Sequence, residues 1–366
     1  MIAERENYKL VDRGLLIAVL AIILFGLAVL YSATQGRGLP ITKSYLMKQA
    51  GWIAIGAISL LVIVNISYQK FIDIAYLLYG INIAMLVLVL FIGDARLGAQ
   101  RWFSIGNFAF QPSEFIKLSM ILVLASYIGG RKDTMSDLNS IFAPIALLSA
   151  PFILVLVQPD LGTALTLLPI FFATLFVAGA RLKYLIAMVA LGLGAMPFMW
   201  QILHGYQKQR LLVFLNPNID PLGAGYTIIQ SKIAIGSGGL FGKGWLSGTQ
   251  SQLNFLPERH TDFIFSVVGE EWGYIGAAGL VLAYLFIVRR ALTIASLTSD
   301  MYGKLIANGI AVMLAFQIII NIGMTIGLMP VVGIPLPLVS YGGSSVVATL
   351  LAIGLLLNIS MRRSTF

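Results

Sequence analysis

The chain of 366 residues contains no cysteine. That excludes disulfides, thiolate metal ligands and a cysteine nucleophile, and it leaves the redox compartment open. Histidine is nearly as scarce, with only His204 and His260 present, too few for a histidine-rich metal site. Charge is the third shortage: Asp, Glu, Lys and Arg make up 11% of the residues, against 58% hydrophobic, and mean hydropathy is +0.91. This is the composition of a polytopic membrane protein. A net charge of +9 does not point to nucleic acid, because the basic residues are spread over short loops between apolar runs rather than gathered on one face. They read as topology signals and as partners for anionic membrane lipid. No nucleotide, haem or cysteine-ligated metal is expected.

What is present in quantity is apolar sequence. Runs at Gly14–Ala33, Ala50–Ile66, Ile72–Ile92, Ser113–Ile128, Ile141–Val157, Thr163–Ala178, Tyr184–Ile202, Phe263–Val288, Leu305–Leu328 and Ser340–Ile359 predict ten transmembrane helices. Each is read as long enough for a ~30 Å hydrocarbon core at ~1.5 Å per residue. The first is too long for the core of a cleaved signal and is read as a span. The expected fold is an all-α integral membrane protein, one polytopic domain over 1–366, with a long outer loop at about 204–261 between helices seven and eight. An even number of spans puts both termini on one side. That side collects Arg5, Lys9, Arg13, Lys70, the pairs Arg131–Lys132, Arg289–Arg290 and Arg362–Arg363, and others, so both termini are expected to be cytoplasmic. The long loop then faces outward, and its amphipathic piece around Tyr226–Ile235 is suited to lying along the interface.

Within that loop, GSGGLFGKGW from Gly236 to Trp245 invites a phosphate-loop reading and fails it. The pattern needs glycine where Ser237 stands and Ser or Thr where Gly244 stands, and no strand precedes it. Turns and close backbone approach explain the glycines better.

Five places put polar groups where hydrocarbon is expected. Glu114 and Lys117 share a helix face at i, i+3, either as a structural ion pair or lining a hydrated cavity. Just before them, Gln111-Pro112-Ser113 reads as a helix start with Ser113 as a candidate cap. Asp160 stands at the start of the sixth span, as a helix cap or as a carboxylate at the edge of an outward cavity. PVVGIPLPLVSYGG, from Pro330 to Gly343, is apolar and broken by proline; irregular backbone at membrane depth survives against protein or a water-filled cavity, so it reads as a plug or wall beside a chamber. The densest group is Glu258-Arg259-His260-Thr261-Asp262, directly before the eighth span. Thr261 or Asp262 can cap that helix. Capping leaves Arg259 and His260 unexplained, as it does Glu270 and Glu271 farther along, of which Glu270 falls roughly on the Asp262 face.

Long stretches carry a family resemblance: Gln100-Arg101-Trp102, QPSEFIK from Gln111, QPDLGT from Gln158, DPLGAGYTIIQSKIAIGSGGLFGKG from Asp220, GTQSQLNFLPERHTDFIF from Gly248 and PLPLVSYGGSS from Pro335. The chain resembles the SEDS membrane proteins of shape, elongation, division and sporulation over essentially its whole length, and GTQSQLNFLPERH favours the elongation branch. The resemblance implies ten transmembrane helices, residence in the bacterial cytoplasmic (inner) membrane, and peptidoglycan glycosyltransferase activity on lipid II and the growing glycan linked to undecaprenyl diphosphate. It also implies a class B penicillin-binding protein as transpeptidase partner. The family's essential aspartate corresponds to Asp262, and its cavity residues to Glu114, Lys117 and Asp160.

On this expectation Asp262 is a general base for the attacking sugar hydroxyl, and Lys117, Arg210 and Arg259 steady the diphosphate. A divalent cation such as magnesium or manganese, with Asp262 as a candidate ligand, is a possible helper. His260 orients the acceptor or is a plain surface residue. An apolar groove near Pro335–Tyr341, with Ser340 and Tyr341, takes the polyprenyl tail. Two other functions use the same features: a lipid II flippase, which needs a cavity but no poised outer carboxylate, and a scaffold that only recruits the penicillin-binding protein.

Overall fold

The computed structural model describes residues 11–35, 42–96, 99–105, 108–131, 135, 137–202 and 205–362. Arg5, Lys9, Lys132, His204 and Arg363, which entered the topology and loop arguments above, lie outside the described residues. Helices α1 (Arg13–Thr34), α2 (Thr42–Asn65), α3 (Tyr68–Asp73) and α4 (Ala75–Ile92) come first. A meander of β1 (Asp94–Arg96), β2 (Ala99–Ile105) and β3 (Phe108–Phe110) follows. The helices α5 (Pro112–Gly129), α6 (Leu138–Val157), α7 (Leu161–Val177) and α8 (Leu182–Ile202) come next. The long segment before the eighth predicted span folds as α9 (Gly205–Leu215), a 3-10 turn, α10 (Ala224–Ser237) and α11 (Thr249–Gln252). The chain ends in α12 (Ile264–Leu297), α13 (Met301–Thr325) and α14 (Gly343–Arg362).

Among the described residues eight helices are long and apolar enough to cross a membrane, and α7 and α8 supply two shorter apolar ones. Burial separates centre from rim: 94% of α14 and 78% of α5 are buried, against 22% for α2 and for α4. The rim helices carry their apolar side chains outward, as Leu61, Phe91 and Phe198 do, which in water would be a liability and in lipid is the favourable arrangement. At the centre, small residues let backbones approach. A Cβ on Gly26 of α1 would meet the Leu338 carbonyl and Val339 Cα at 2.9 Å. Prolines inside α6, α7 and α8 (Pro144, Pro151, Pro169 and Pro197) are tolerated because neighbouring groups can satisfy the freed carbonyls.

Chain ends of helices are closed by side chains from elsewhere. Asn358 Nδ2 of α14 donates to the Ile63 and Ile66 carbonyls at the end of α2, while its Oδ1 accepts from Tyr68 N at 3.1 Å. At the opening of α1, Asp12 Oδ1 accepts from Leu15 N at 3.0 Å and Oδ2 pairs with Arg290 at 2.6 Å. The segment before α12 is folded protein. In α10 the wholly buried Ser231 bonds Ser266 Oγ and donates to the Thr325 carbonyl, both at 2.6 Å, and so ties that segment to α12 and α13. The amphipathic piece around Tyr226–Ile235 thus spends its apolar face on protein.

The glycine run has a structural account. Helix α12 is broken at Gly273 (φ 64°, ψ −163°), and the chain from Gly238 to Gly244 docks into the break. Lys243 N and Gly244 N donate to the Glu270 and Glu271 carbonyls at 3.0 Å; Tyr274 N and Ile275 N donate to Gly239 O at 2.9 Å and Leu240 O at 3.2 Å. Every backbone group exposed by the break near Gly273 that these bonds reach is thereby satisfied, as low-dielectric surroundings require.

Candidate active site

The three residues His260, Thr261 and Asp262 precede α12, and their carbonyls are held in succession. Tyr341 N donates to His260 O at 2.9 Å, Ser340 Oγ to Thr261 O at 2.6 Å, and Asn321 Nδ2 to Asp262 O at 3.0 Å. Neither Thr261 nor Asp262 caps the helix: the cap position is Phe263, with no side-chain cap bond. Thr261 Oγ1 instead donates to the Glu258 carbonyl and carboxylate, both at 3.2 Å. The Asp262 carboxylate is left for another purpose. It is partly accessible yet densely surrounded. Its surroundings push its pKa up to about 6: burial first, then the charge of Glu258, opposed by Arg210 and, more weakly, Arg101.

A narrow cleft opens beside it, lined by Arg101, Pro159, Gln207, Arg210, Val331 and Val332 among others. The next residue, Gly333 (φ 76°), is close enough to Asp262 that a Cβ there would lie 3.4 Å from Oδ2. Two guanidinium groups therefore share a cleft with a high-pKa carboxylate at its margin. Arg101 is positioned by the meander: its Nε donates to Gln158 O at 2.9 Å, and Nη2 donates to Pro159 O. Arg210 reaches in from α9, with Nη1 3.3 Å from the Val331 carbonyl. Sequence reasoning chose Arg210 and missed Arg101 as a cleft cation, although Gln100-Arg101-Trp102 was already conspicuous; its contact with the Gln158–Pro159 turn crosses two helices.

Asp160 is a hub. It caps α7 by accepting from Thr163 N at 3.2 Å, and Oδ2 also accepts from Thr163 Oγ1 at 2.9 Å and from Gln111 Nε2 and Ser113 Oγ at 3.2 Å. Ser113, expected to cap α5, is used here instead; the cap position is Gln111, with Pro112 in the first turn. Lys117 Nζ donates to Glu114 Oε2 at 2.9 Å, with both side chains almost fully buried. The two ions expected on one helix face are therefore paired with each other. Replacing Lys117 with Met should leave a buried carboxylate without its counter-ion, a loss of about 3–5 kcal/mol for a broken buried pair. The check is monodisperse folded yield after detergent extraction; normal yield with lost activity would assign Lys117 to the chemistry instead.

The remaining expected site residues divide. Arg259 Nε donates to Ala33 O at 2.6 Å, at the end of α1, and does not line the cleft. His260 packs against Tyr45 at 4.9 Å and Tyr341 at 5.9 Å between ring centroids, both tilted, and burial lowers its pKa, which favours neutral imidazole. Ser340 is buried and donates to one carbonyl while accepting from Leu336 N at 2.8 Å. Its role and that of Tyr341 N are to hold backbone. The segment near Pro335–Tyr341 is a packed wall, with Leu336, Leu338 and Val339 buried and the Pro337 carbonyl accepting from Tyr284 OH at 2.6 Å. An apolar groove of about 430 Å³ lies elsewhere, between α7 and α8, lined by Phe172, Phe176, Leu185 and Ile186 among others. Glu270 faces the glycine loop, accepting from Lys243 Nζ, Thr249 Oγ1, Gln250 N and Ser251 N. Glu271 Oε1 accepts from Ser32 Oγ at 2.5 Å.

Among the described residues no three of His, Asp and Glu cluster closely enough to hold a divalent cation on protein ligands alone, and Asp160 is already engaged by protein donors. A cation at Asp262 would need oxygens beyond the protein's own to complete its shell.

The family model for cell cycle proteins FtsW, RodA and SpoVE matches residues 13–365. The chain belongs to this family. It is 41% identical over 353 residues to peptidoglycan glycosyltransferase MrdB of Escherichia coli K12, covering 96% of this chain and 94% of that one. Among solved structures it is similar to a chain from a peptidoglycan synthase complex that coordinates polymerisation and crosslinking, with TM-score 0.83, 36% identity and coverage of 97% and 99%. It is also similar to the rod shape determining protein RodA of Thermus thermophilus, with TM-score 0.73, 33% identity and coverage of 97% and 98%. The SEDS resemblance and the multi-pass membrane fold are thus supported by sequence relatives and by structure alike.

Proposed function

We propose that the chain is a peptidoglycan glycosyltransferase of cell elongation that polymerises lipid II, with Asp262 as general base. The observation that carries this is a carboxylate with raised pKa, relieved of any capping duty, at the margin of a cleft that also holds Arg101 and Arg210. Polymerisation requires a sugar hydroxyl to attack an anomeric carbon bearing a diphosphate-polyprenol leaving group. Asp262 takes the hydroxyl proton as the new carbon–oxygen bond forms. The anomeric carbon–oxygen bond breaks, and the diphosphate departs with the electron pair. An α-linked donor giving a β-linked glycan calls for one in-line displacement with inversion and no covalent glycosyl-enzyme. Arg101 and Arg210 offer preorganised positive charge where the departing diphosphate develops negative charge.

The chain resides in the bacterial cytoplasmic membrane, both termini cytoplasmic, so that Asp262 faces outward where lipid-linked disaccharide is consumed. A class B penicillin-binding protein crosslinks the product; the similarity to a chain of a synthase complex supports that partnership. Purified protein with fluorescent lipid II tests the activity. Glycan polymer formed in detergent, where no two sides exist, is the expected result. Scrambling of lipid II in liposomes without polymer would make the chain a transporter, and assembly with the penicillin-binding protein without polymer would make it a scaffold.

A further inference from the structure

Asn321 lies in the last turns of the apolar α13, wholly buried, and its amide bridges two segments outside that helix. Nδ2 donates to Asp262 O at 3.0 Å and to Ile334 O at 2.7 Å, joining the turn before α12 to the proline-broken wall. Among the described residues its Oδ1 has no hydrogen-bond partner. A buried acceptor without a partner costs stability, which offsets part of what Nδ2 gains by satisfying two carbonyls. What the amide secures is the register of two irregular segments. One carries Asp262, and the other carries Gly333, beside the Asp262 carboxylate, and Val331 and Val332 of the cleft wall.

We infer that Asn321 is a positioning residue for the transfer reaction: by clamping the Asp262 and Ile334 carbonyls together it sets the Asp262 carboxylate against the cleft that holds Arg101 and Arg210. Ser340 Oγ and Tyr341 N continue the clamp on the two preceding carbonyls. The inference rests on Asp262 being the base. A reacting group displaced by about 1 Å can lose about 10²-fold in rate.

The test uses the full chain co-purified with its penicillin-binding partner and assays lipid II polymerisation in detergent. Asn321→Leu should lower kcat by about 10²-fold with KM unchanged, since a positioning loss falls on the transition state rather than on binding. It should also shift the acid limb of the pH profile, because the carboxylate moves relative to Glu258, Asp160, Arg210 and Arg101. Asn308→Leu is the control: the same side chain on the same helix, bonded to Ala173 O at 3.5 Å, should leave both readouts unchanged. Wild-type kcat and an unmoved acid limb in folded Asn321→Leu would overturn the inference. If that variant does not fold, Ser340→Ala should show the same split more weakly; if neither folds, these side chains serve the fold alone and the inference is wrong. Asp262→Asn separates the two levels: if it is active, the general-base reading falls and this inference with it, whereas an inactive Asp262→Asn beside a fully active Asn321→Leu removes only the positioning role.

Discussion

Asp262→Asn and Asp262→Ala should abolish polymerisation while the protein remains folded and bound to its partner. Proton transfer by a positioned group contributes about 10²–10⁴-fold, and a carboxamide of the same shape cannot accept the proton. The electrostatics add a signature that distinguishes function from architecture. Burial and Glu258 raise the Asp262 pKa from 3.8 to about 6, so its ionised form is disfavoured in the folded state. For such a group the stability contribution is full below the unfolded value and is lost as pH rises through about 6, which makes the carboxylate a burden at neutral pH. Asp262→Asn removes that burden. The variant should therefore be inactive and at least as resistant to heat as the parent near pH 7, a pattern found where a site is held at the expense of stability. In the parent, kcat/KM should fall as pH drops through about 6, rather than near the ordinary aspartate value, because only the ionised carboxylate serves as base. Full activity of Asp262→Asn, or an acid limb near pH 4 in the parent, would refute the assignment.

The features legible in sequence are those the bilayer imposes locally. A span must be continuous and apolar, so its existence shows in the pattern, while its ends do not. Helix α2 reaches back to Thr42 past Lys48, and through Gln49, which is buried against the Ser340 carbonyl; α12 runs on to Leu297 past Arg289 and Arg290, because long charged side chains at a helix end can reach the interface while the backbone stays helical. The meander of β1 to β3 was invisible, since β1 and β3 are three residues each and the seven of β2, AQRWFSI, do not alternate apolar with polar. Side-chain destinations were the least legible. Ser340 and Tyr341 read as cavity residues because polar groups near an apolar wall suggest a ligand, yet they meet the carbonyls of His260 and Thr261. Arg101 was passed over and Arg259 favoured because neither the Gln158–Pro159 turn nor the Ala33 carbonyl is near its partner in sequence. Asp262 stood out because charge is so scarce that a cluster at a span boundary is conspicuous, whereas its exclusion from capping shows only in the fold.

The second large effect is expected at the glycines, and it concerns folding. Gly242 has φ 81°, and a Cβ there would sit 2.1 Å from the Glu271 carbonyl oxygen; at Gly238 the corresponding distance to the Gly269 oxygen is 1.9 Å. These contacts are with backbone, so no side chain can move aside. A valine at Gly242 must either distort α12 or withdraw the loop, and withdrawal strands the Glu270 and Glu271 carbonyls together with the Tyr274 and Ile275 N–H groups. A positive φ costs a branched residue of order 1–3 kcal/mol, and each buried backbone group left unpaired adds about 1–3 kcal/mol. The sum is comparable to the whole stability of an ordinary domain. Gly242→Val should therefore give little monodisperse protein on size-exclusion of detergent extracts. Gly51→Ala and Gly80→Ala, where an added Cβ meets nothing within 4 Å, should express like the parent. Glu270, which accepts from Gln250 N and Ser251 N, hangs from the same break, so whatever Gly242→Val protein does fold should also lose order in the chain leading to Glu258 and Asp262. Normal yield and normal polymerisation from Gly242→Val would mean that the docked glycine loop does not support α12, and that the break at Gly273 is satisfied in some other way.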